Sequence, residues 1–244
     1  MQRILSTMRR AIQDYKMIEA GDKIAVGVSG GKDSLVLLSA LAAFRRFSEM
    51  PFEVMGITID MGFEGVNYDP VAEYCKSLNV DYVVKKTDIA DILFDIRKEK
   101  NPCSLCSRMR RGAVNDLAKE NGCNKVALGH NNEDVLETFF LSLFYEGRLN
   151  SFSPFTYLSR REIAVIRPLI YAAESDIRGY ARRANLPIVK NPCPMDGVSK
   201  RQDMKDFINE KTKLDRHFKA RMMNAIQTGL DDWKLEENKH ENKK

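Results

Sequence analysis

The run Ser29-Gly30-Gly31-Lys32-Asp33-Ser34 concentrates residue types that handle phosphate. It follows Ile24-Ala25-Val26-Gly27-Val28, an apolar, β-branched stretch suited to a strand buried on both faces. It precedes Leu35-Val36-Leu37-Leu38, which opens a helix. A glycine turn between strand and helix aims free backbone N–H groups and the positive helix end at one point, an arrangement that binds phosphate. Lys32 adds a point charge. Asp33 would repel a bare phosphate, and it makes sense if Mg²⁺ stands between the two anions. The competing reading is a plain helix start, with Ser29 or Ser34 as its N-cap. The spacing is not that of the ordinary Gly-x-x-x-x-Gly-Lys-Ser/Thr phosphate loop.

A second group of reactive side chains is Cys103-Ser-Leu-Cys106, followed by Arg108, Arg110 and Arg111. Pro102 marks a loop, and the cysteines stand at the start of a helix running to about Glu120. A helix N-terminus and neighbouring arginines lower the pKa of a thiol. The pair reads as a metal or cluster half-site, as a redox dithiol, or as chance; the arginines read as a phosphate site or a solvated face. A further thiol, Cys193, lies between Pro192 and Pro194, which stiffen its loop. Cys75 and Cys123 sit in helical or helix-end contexts and read as structural thiols.

The elements that must position these groups alternate strand and helix. Residues 51–60 form a second strand closed by Asp60, a residue that faces a ligand at the carboxyl end of a parallel strand or caps a turn. Pro70 opens a short helix, Asp81–Lys86 is a third strand, and Lys125 to His130 is a fourth that ends in a Gly129-His130 turn. The next helix begins with Glu133 and Asp134, acids that suit its dipole, and buries Leu136, Phe139, Phe140, Leu143 and Phe144. Ile163 to Leu169 is the fifth strand, and Glu174 to Ala184 a further helix. The pattern predicts an α/β fold, a doubly wound parallel sheet of five strands. Met1 to Glu19 reads as an N-terminal helix, residues 21–198 as the central domain, and 199–244 as a basic helical extension. Within that extension one helix spans Ser199 to Thr228, and the chain from Trp233 onward reads as polar and frayed. No internal repeat and no linker stands out.

Composition narrows the class. A chain of 244 residues with 43% hydrophobic and 30% charged residues has enough apolar material for one sizeable soluble core. No apolar run approaches membrane-spanning length and no signal-peptide pattern opens the chain, so a cytoplasmic protein with no membrane partner is expected. Its five cysteines then point to thiol or metal chemistry and away from a disulfide framework. The net charge of +5 is compatible with a polyanionic partner.

Ser-Gly-Gly-Lys-Asp-Ser resembles the PP-loop of the ATP-pyrophosphatase (adenine nucleotide α-hydrolase-like) superfamily, whose members split ATP between the α and β phosphates. Four further landmarks narrow the resemblance: Cys-Ser-Leu-Cys-Ser-Arg-Met-Arg-Arg-Gly, Ala-Leu-Gly-His-Asn-Asn-Glu-Asp-Val-Leu-Glu-Thr, Ile-Arg-Pro-Leu and Pro-Cys-Pro. With the loop they resemble the tRNA 2-thiocytidine synthetase (TtcA-like) family over about residues 15–210. That resemblance implies an enzyme that adenylates the C2 oxygen of a tRNA cytidine and replaces it with sulfur. It implies ATP contacts at Ser29, Gly30, Gly31, Lys32, Asp33, Ser34, Asp60, Gly129 and His130, and catalytic roles for Asp33, Asp134 and Arg110. It implies Mg²⁺ and a 4Fe–4S cluster on Cys103, Cys106 and Cys193. The implied partners are tRNA and a sulfur donor, either a cysteine desulfurase or free sulfide, and a homodimer is compatible with the family.

The chain departs from the family in two places. Asn131 stands where relatives often carry a second histidine, and Asp196 where a further cysteine often follows the Pro-Cys loop. Asp196 is the candidate for a fourth ligand, but an oxygen ligand there would close the iron that must stay open for sulfur. Five cysteines cannot supply two zinc fingers in addition to a cluster, which favours the thiocytidine branch over the thiouridine one. Three other functions compete: an ATP-dependent ligase sharing the loop, a thiolase that uses a cysteine persulfide without a cluster, and a non-enzymatic nucleotide- or RNA-binding module. Arg108, Arg110 and Arg111 are expected to contact tRNA near the site, and the basic residues of the extension, among them Lys200, Lys213, Arg216 and Arg221, outside it.

Overall fold

A computed structural model describes residues 1–99, 102–190, 192–195 and 200–235. Asp196 therefore lies outside the described residues, as does the chain beyond 235. In chain order the elements are α1 (Gln2–Asp14), β1 (Lys23–Gly27), α2 (Lys32–Phe44), β2 (Glu53–Asp60), α3 (Asp69–Ser77), β3 (Asp81–Lys86) and α4 (Ile89–Asp91). They continue as α5 (Pro102–Glu120), β4 (Lys125–Ala127), α6 (Asn132–Leu141), β5 (Phe155–Leu158), β6 (Ile163–Ile166), α7 (Glu174–Arg183), α8 (Lys200–Leu214) and α9 (Phe218–Gly229). Both α4 and α6 run on into a short π-helical turn, Ile92–Ile96 and Ser142–Glu146. Phe144, expected on the buried stripe of α6, stands in that turn with 52% of its surface exposed, because the wider turn rotates it off the stripe.

The sheet has six strands in the order β3-β2-β1-β4-β6-β5. Strands β3, β2, β1, β4 and β6 are parallel, with Ala25 level with Met55 on one side and Val126 on the other. The sixth strand, β5, runs antiparallel along β6, with Thr156 level with Val165. The expected five-stranded parallel sheet is thus present and is extended by one antiparallel edge. Phe-Thr-Tyr-Leu is short and lies in a serine-rich stretch, so hairpin pairing, more than its own pattern, makes it a strand.

Alternation along the strands builds two cores. Ile24, Val26, Val54, Ala127 and Ile166 face one side, where they join α1, α2, α6, α7, α8 and α9. Ala25, Met55, Ile57, Val126 and Ile163 face the other side, against α4 and α5. Helix α2 is apolar around its whole circumference, and every residue from Ser34 to Ala42 is buried. That helix is clamped between the sheet and its helical neighbours, and this holds the loop at its N-terminus rigidly.

Three boundaries differ from expectation. Helix α1 stops at Asp14 because Lys16 takes a left-handed φ of 46°, and Met17 and Ile18 are buried beyond the helix end. The basic extension forms two helices, broken at Asp215–His217, and their Met204, Ile208, Met223 and Ile226 join the larger core. Trp233, read as the start of a frayed end, is fully buried. Its carbonyl accepts a hydrogen bond from Tyr15 Oη at 3.1 Å, and the Tyr15 ring stands edge-on to the indole. A single aromatic residue in a polar stretch has no periodicity, so only its packing against a distant helix could place it.

Candidate active site

The strand order reverses between β1 and β4, and an open parallel sheet has its crevice at the carboxyl ends of the strands flanking that point. The Ser29–Ser34 loop follows β1, and Gly129-His130 follows β4. Two glycines permit the close packing of the loop, one against the Val189 segment and one against the turn after β4. Gly30 has φ of 82°, and a Cβ there would stand 2.8 Å from the Cβ of Val189. A Cβ on Gly129 would stand 3.0 Å from the backbone of Asp33 and Ser34.

The loop is fastened by its own hydroxyls. Ser34 Oγ donates to the Gly31 carbonyl at 2.9 Å and accepts from the Ser29 N–H at 3.2 Å. Asp33 Oδ1 accepts from Asn131 Nδ2 at 3.0 Å, and Asp33 Oδ2 from Lys32 Nζ at 2.8 Å. Asn131 is also the N-cap of α6: its side chain accepts from the Asp134 N–H, and Asp134 Oδ2 accepts from the Asn131 N–H at 2.9 Å. Asn131 therefore ties the two helix N-termini together. An N-cap asparagine followed three residues later by an acid was the available signal for this capping box.

A cleft of about 340 Å³ opens at this point, lined by Ser29, Asp33, Ser34, Asp60, Gly129, His130, Asp134 and Arg110 among others. Most of the expected nucleotide contacts thus come together. Asp60 lines the cleft, and its Oδ1 accepts from the Gly62 N–H at 3.0 Å, which caps the turn after β2. Gly30 and Gly31 are part of the loop but do not line the cleft, and Lys32 turns to its other side. There Lys32 pairs with Asp33 and, at 3.1 Å, with Glu174 at the start of α7. Burial would lower the Lys32 pKa, but Asp33 and Glu174 outweigh it and raise it. Burial likewise works to raise the Glu174 carboxyl, yet Lys205 and Lys32 hold it at about 2. Glu174 carries no sequence signal, because its partner is 142 positions away in the chain.

Asp134 lines the cleft with both oxygens engaged, one in the capping box and the other near Arg201 at 3.3 Å. Burial raises its pKa against the pull of the Asn131 N–H and Arg201. The acid is thus first a structural cap, and it faces the cleft from that position.

Beyond His130 and Arg110 lies a second cavity, about 530 Å³, bordered by Cys103, Cys106 and Cys193. The two cavities share Met61, Phe63, Arg110, Val114, Leu128 and His130, so they adjoin across one wall. His130 packs against Phe152 with the rings tilted by 32° and their centres 4.6 Å apart, and the Arg167 guanidinium covers the same ring at 5.0 Å. The buried Nδ1 of His130 and Nε of Arg167 have no hydrogen-bond partner among the described residues. Burial, then Arg167, Arg201 and Arg111, push the His130 pKa down to about 3, so its ring is neutral at physiological pH.

Cys103 and Cys106 occupy the first turns of α5 as expected, and Cys193 approaches from the loop after residue 190. Cys75 and Cys123 are buried structural thiols. The expected lowering of thiol pKa fails at Cys106. Burial raises it, and Arg110 pulls it down without prevailing. Among the described residues no three His, Cys, Asp or Glu side chains converge as a ready-made metal site. The cavity wall nevertheless suits an anionic, thiolate-held group: it carries three thiols, Arg110, Arg111 and Arg167, and among the described residues no carboxylate. No helix among the described residues is long and apolar enough to cross a membrane.

The PP-loop domain family matches residues 3–211 of this chain. The tRNA-cytidine(32) 2-sulfurtransferase of Geobacter sulfurreducens is 37% identical over 231 residues, covering 92% of this chain and 89% of that protein. That of Ralstonia pickettii is 38% identical over 242 residues, covering 96% and 76%. Among solved structures, the U34-tRNA thiolase NcsA from Methanococcus maripaludis, determined with its 4Fe–4S cluster, superposes with a TM-score of 0.75 over 91% of this chain and 76% of that one. At 23% identity that likeness speaks for the fold. With the phosphate loop at the sheet's reversal point and identity sustained over almost the whole chain, this protein belongs to the tRNA-cytidine(32) 2-sulfurtransferase family of PP-loop proteins.

Proposed function

We propose that this chain is an ATP-dependent tRNA sulfurtransferase that adenylates the C2 oxygen of a cytidine and replaces that oxygen with sulfur. The observation that carries the reading is the shared wall: a cleft built around a phosphate loop adjoins a cavity bordered by three cysteines, across His130 and Arg110. A base carbonyl oxygen is a poor leaving group, and coupling it to AMP makes it a good one. The base must therefore be reachable first from the nucleotide and then from the sulfur, which adjoining cavities allow.

The Ser29–Ser34 loop supplies backbone N–H groups to the departing pyrophosphate, and Asp33, held by Asn131 and Lys32, is placed to carry Mg²⁺. Lys32 reaches the phosphates by exchanging Glu174 for them. Neutral His130 offers one donor and one acceptor at the wall, which suits orienting a base and not protonating it. Arg110, exposed and common to both cavities, meets the charge of the α-phosphate. Cys103, Cys106 and Cys193 would hold a 4Fe–4S cluster, which, held by three thiolates, leaves an iron open to deliver sulfide.

The test is incubation of anaerobically purified chain with ATP, sulfide and unmodified tRNA. AMP and pyrophosphate should appear together with 2-thiocytidine by nucleoside mass spectrometry, and Cys193→Ala should abolish both the brown chromophore and thiolation. Stoichiometric ADP, or full thiolation by Cys193→Ala, would refute it. A second reading, transfer from a cysteine persulfide with a disulfide partner, draws on the three thiols bordering the cavity without converging. Iron and sulfide content of the anaerobic protein separates the two.

A further inference from the structure

A third cavity, about 440 Å³, lies on the outer side of the thiol cavity and shares Arg111, Asn115 and Leu158 with it. One bank is α5, with Arg108 and Arg111; the other is the end of β5, with Tyr157, and the turn between β5 and β6, with Arg160 and Arg161. Arg161 is occupied, since it bonds Asp116 and the Gly112 carbonyl and so ties the two banks together. Arg108, Arg111 and Arg160 are exposed and form no ion pair among the described residues. Tyr157 stands with 60% of its surface exposed at the edge strand.

The basic tail presents a different picture. Arg201 is paired with Asp134 and Glu137, Lys205 with Glu174, Lys219 with Glu133, Lys211 with Glu210, and Arg221 with Asp215. Much of its charge is spent on acids of the same chain, and the pairs of Arg201, Lys205 and Lys219 hold α8 and α9 to α6 and α7. Unpaired guanidinium groups that converge on one groove leave the stronger field for a polyanion.

We propose that the groove between α5 and the β5–β6 turn is the RNA-docking surface, and that the target nucleotide enters the thiol cavity from it past Arg111. Arg108, Arg111 and Arg160 contact phosphates on either side of the target, and Tyr157 stacks on a base flanking it. This inference rests on the reading of the chain as an enzyme acting on tRNA. The ligand chemistry is that of single-stranded or loop RNA: phosphates spaced along a groove, next to an aromatic face on which an unstacked base can lie. A base stacked inside a duplex cannot enter a cavity that lies behind the groove, so the target must leave its stack.

The experiment measures binding of unmodified bulk tRNA to the full chain by fluorescence anisotropy across a salt series. Arg108→Glu/Arg160→Glu should weaken binding at least tenfold at moderate salt and reduce the slope of log K against log salt by about two. Arg108→Lys/Arg160→Lys should retain most of the affinity, which separates charge from folding. Tyr157→Ala should lose about tenfold and Tyr157→Phe little. The tail pair Lys200→Glu/Lys213→Glu should lose less than the groove pair. If wild type binds tRNA and the groove pair binds equally well, or the tail pair loses more, the groove assignment is overturned while the enzyme reading stands. If wild type binds no tRNA at any salt, both are overturned.

Discussion

Placing alanine at Gly30 tests whether the loop and the segment carrying Cys193 are one mechanical unit. Gly30 has φ of 82°, a backbone state that costs an L-residue about 1–2 kcal/mol. The added methyl would also stand 2.8 Å from Val189 Cβ, closer than real Cβ contacts come, and forced overpacking of this kind costs about 1–3 kcal/mol. Val189 cannot swing aside alone, because its N–H donates to the Gly30 carbonyl at 3.0 Å. Gly30→Ala should therefore destabilise the chain by about 2–5 kcal/mol in urea titration. Gly65 is the control: its φ is 74° and nothing lies within 4 Å of a new Cβ, so Gly65→Ala should cost only the backbone part, about 1–2 kcal/mol. Removing the opposing atom with Val189→Gly should lessen the effect of Gly30→Ala, with a coupling of about 1–3 kcal/mol in a double-mutant cycle. Equal losses at Gly30 and Gly65, or zero coupling, would show that the contact carries no energy and that the two segments move independently.

Glu137 is buried, and burial followed by the Asp134 charge moves its carboxyl from 4.5 up to about 7 against the pull of Arg201. A raised folded pKa means that its stabilising contribution is complete below 4.5 and lost as pH rises through 7, a change of up to roughly 3 kcal/mol. Unfolding curves of wild type and Glu137→Gln should diverge between pH 5 and pH 8, with wild type losing ground; parallel curves would contradict the burial argument. Trp233→Ala should cost about 3–5 kcal/mol, because the side chain is fully buried, whereas Trp233→Phe should be far milder, since it also removes an indole N–H that has no partner among the described residues. Asn131→Ala removes a helix cap and one of the groups holding Asp33; we expect about 1 kcal/mol lost in stability and a larger fall in ATP turnover than in ATP affinity.

The strand–glycine–helix junction, the parallel strand pattern and the two neighbouring cysteines were legible in the sequence because each depends on residues a few positions apart. An apolar β-branched run, two glycines and a helix-forming run report local backbone preference, and that preference survives folding here. Asp33 stood out as an acid inside a phosphate turn and Asp60 as an acid at the carboxyl end of a parallel strand, whereas Gly129 and His130 stood out only through the resemblance of their motif to the family. Which side of the loop Lys32 takes was not legible: Glu174 and Lys205 decide it from helices far along the chain. The Cys106 thiol shows the same limit, since its local helix end favours the thiolate while the burial that raises its pKa is a property of the packed cavity. Trp233 looks like part of a polar tail until Tyr15 and the core close over it. The shared wall of the two cavities, and the groove opening onto the second, join residues from four separate stretches of chain. Local preference fixes which elements form and which residues stand at their ends; desolvation and charge pairing act through space, so only the packed structure decides how those residues are protonated, paired and aimed.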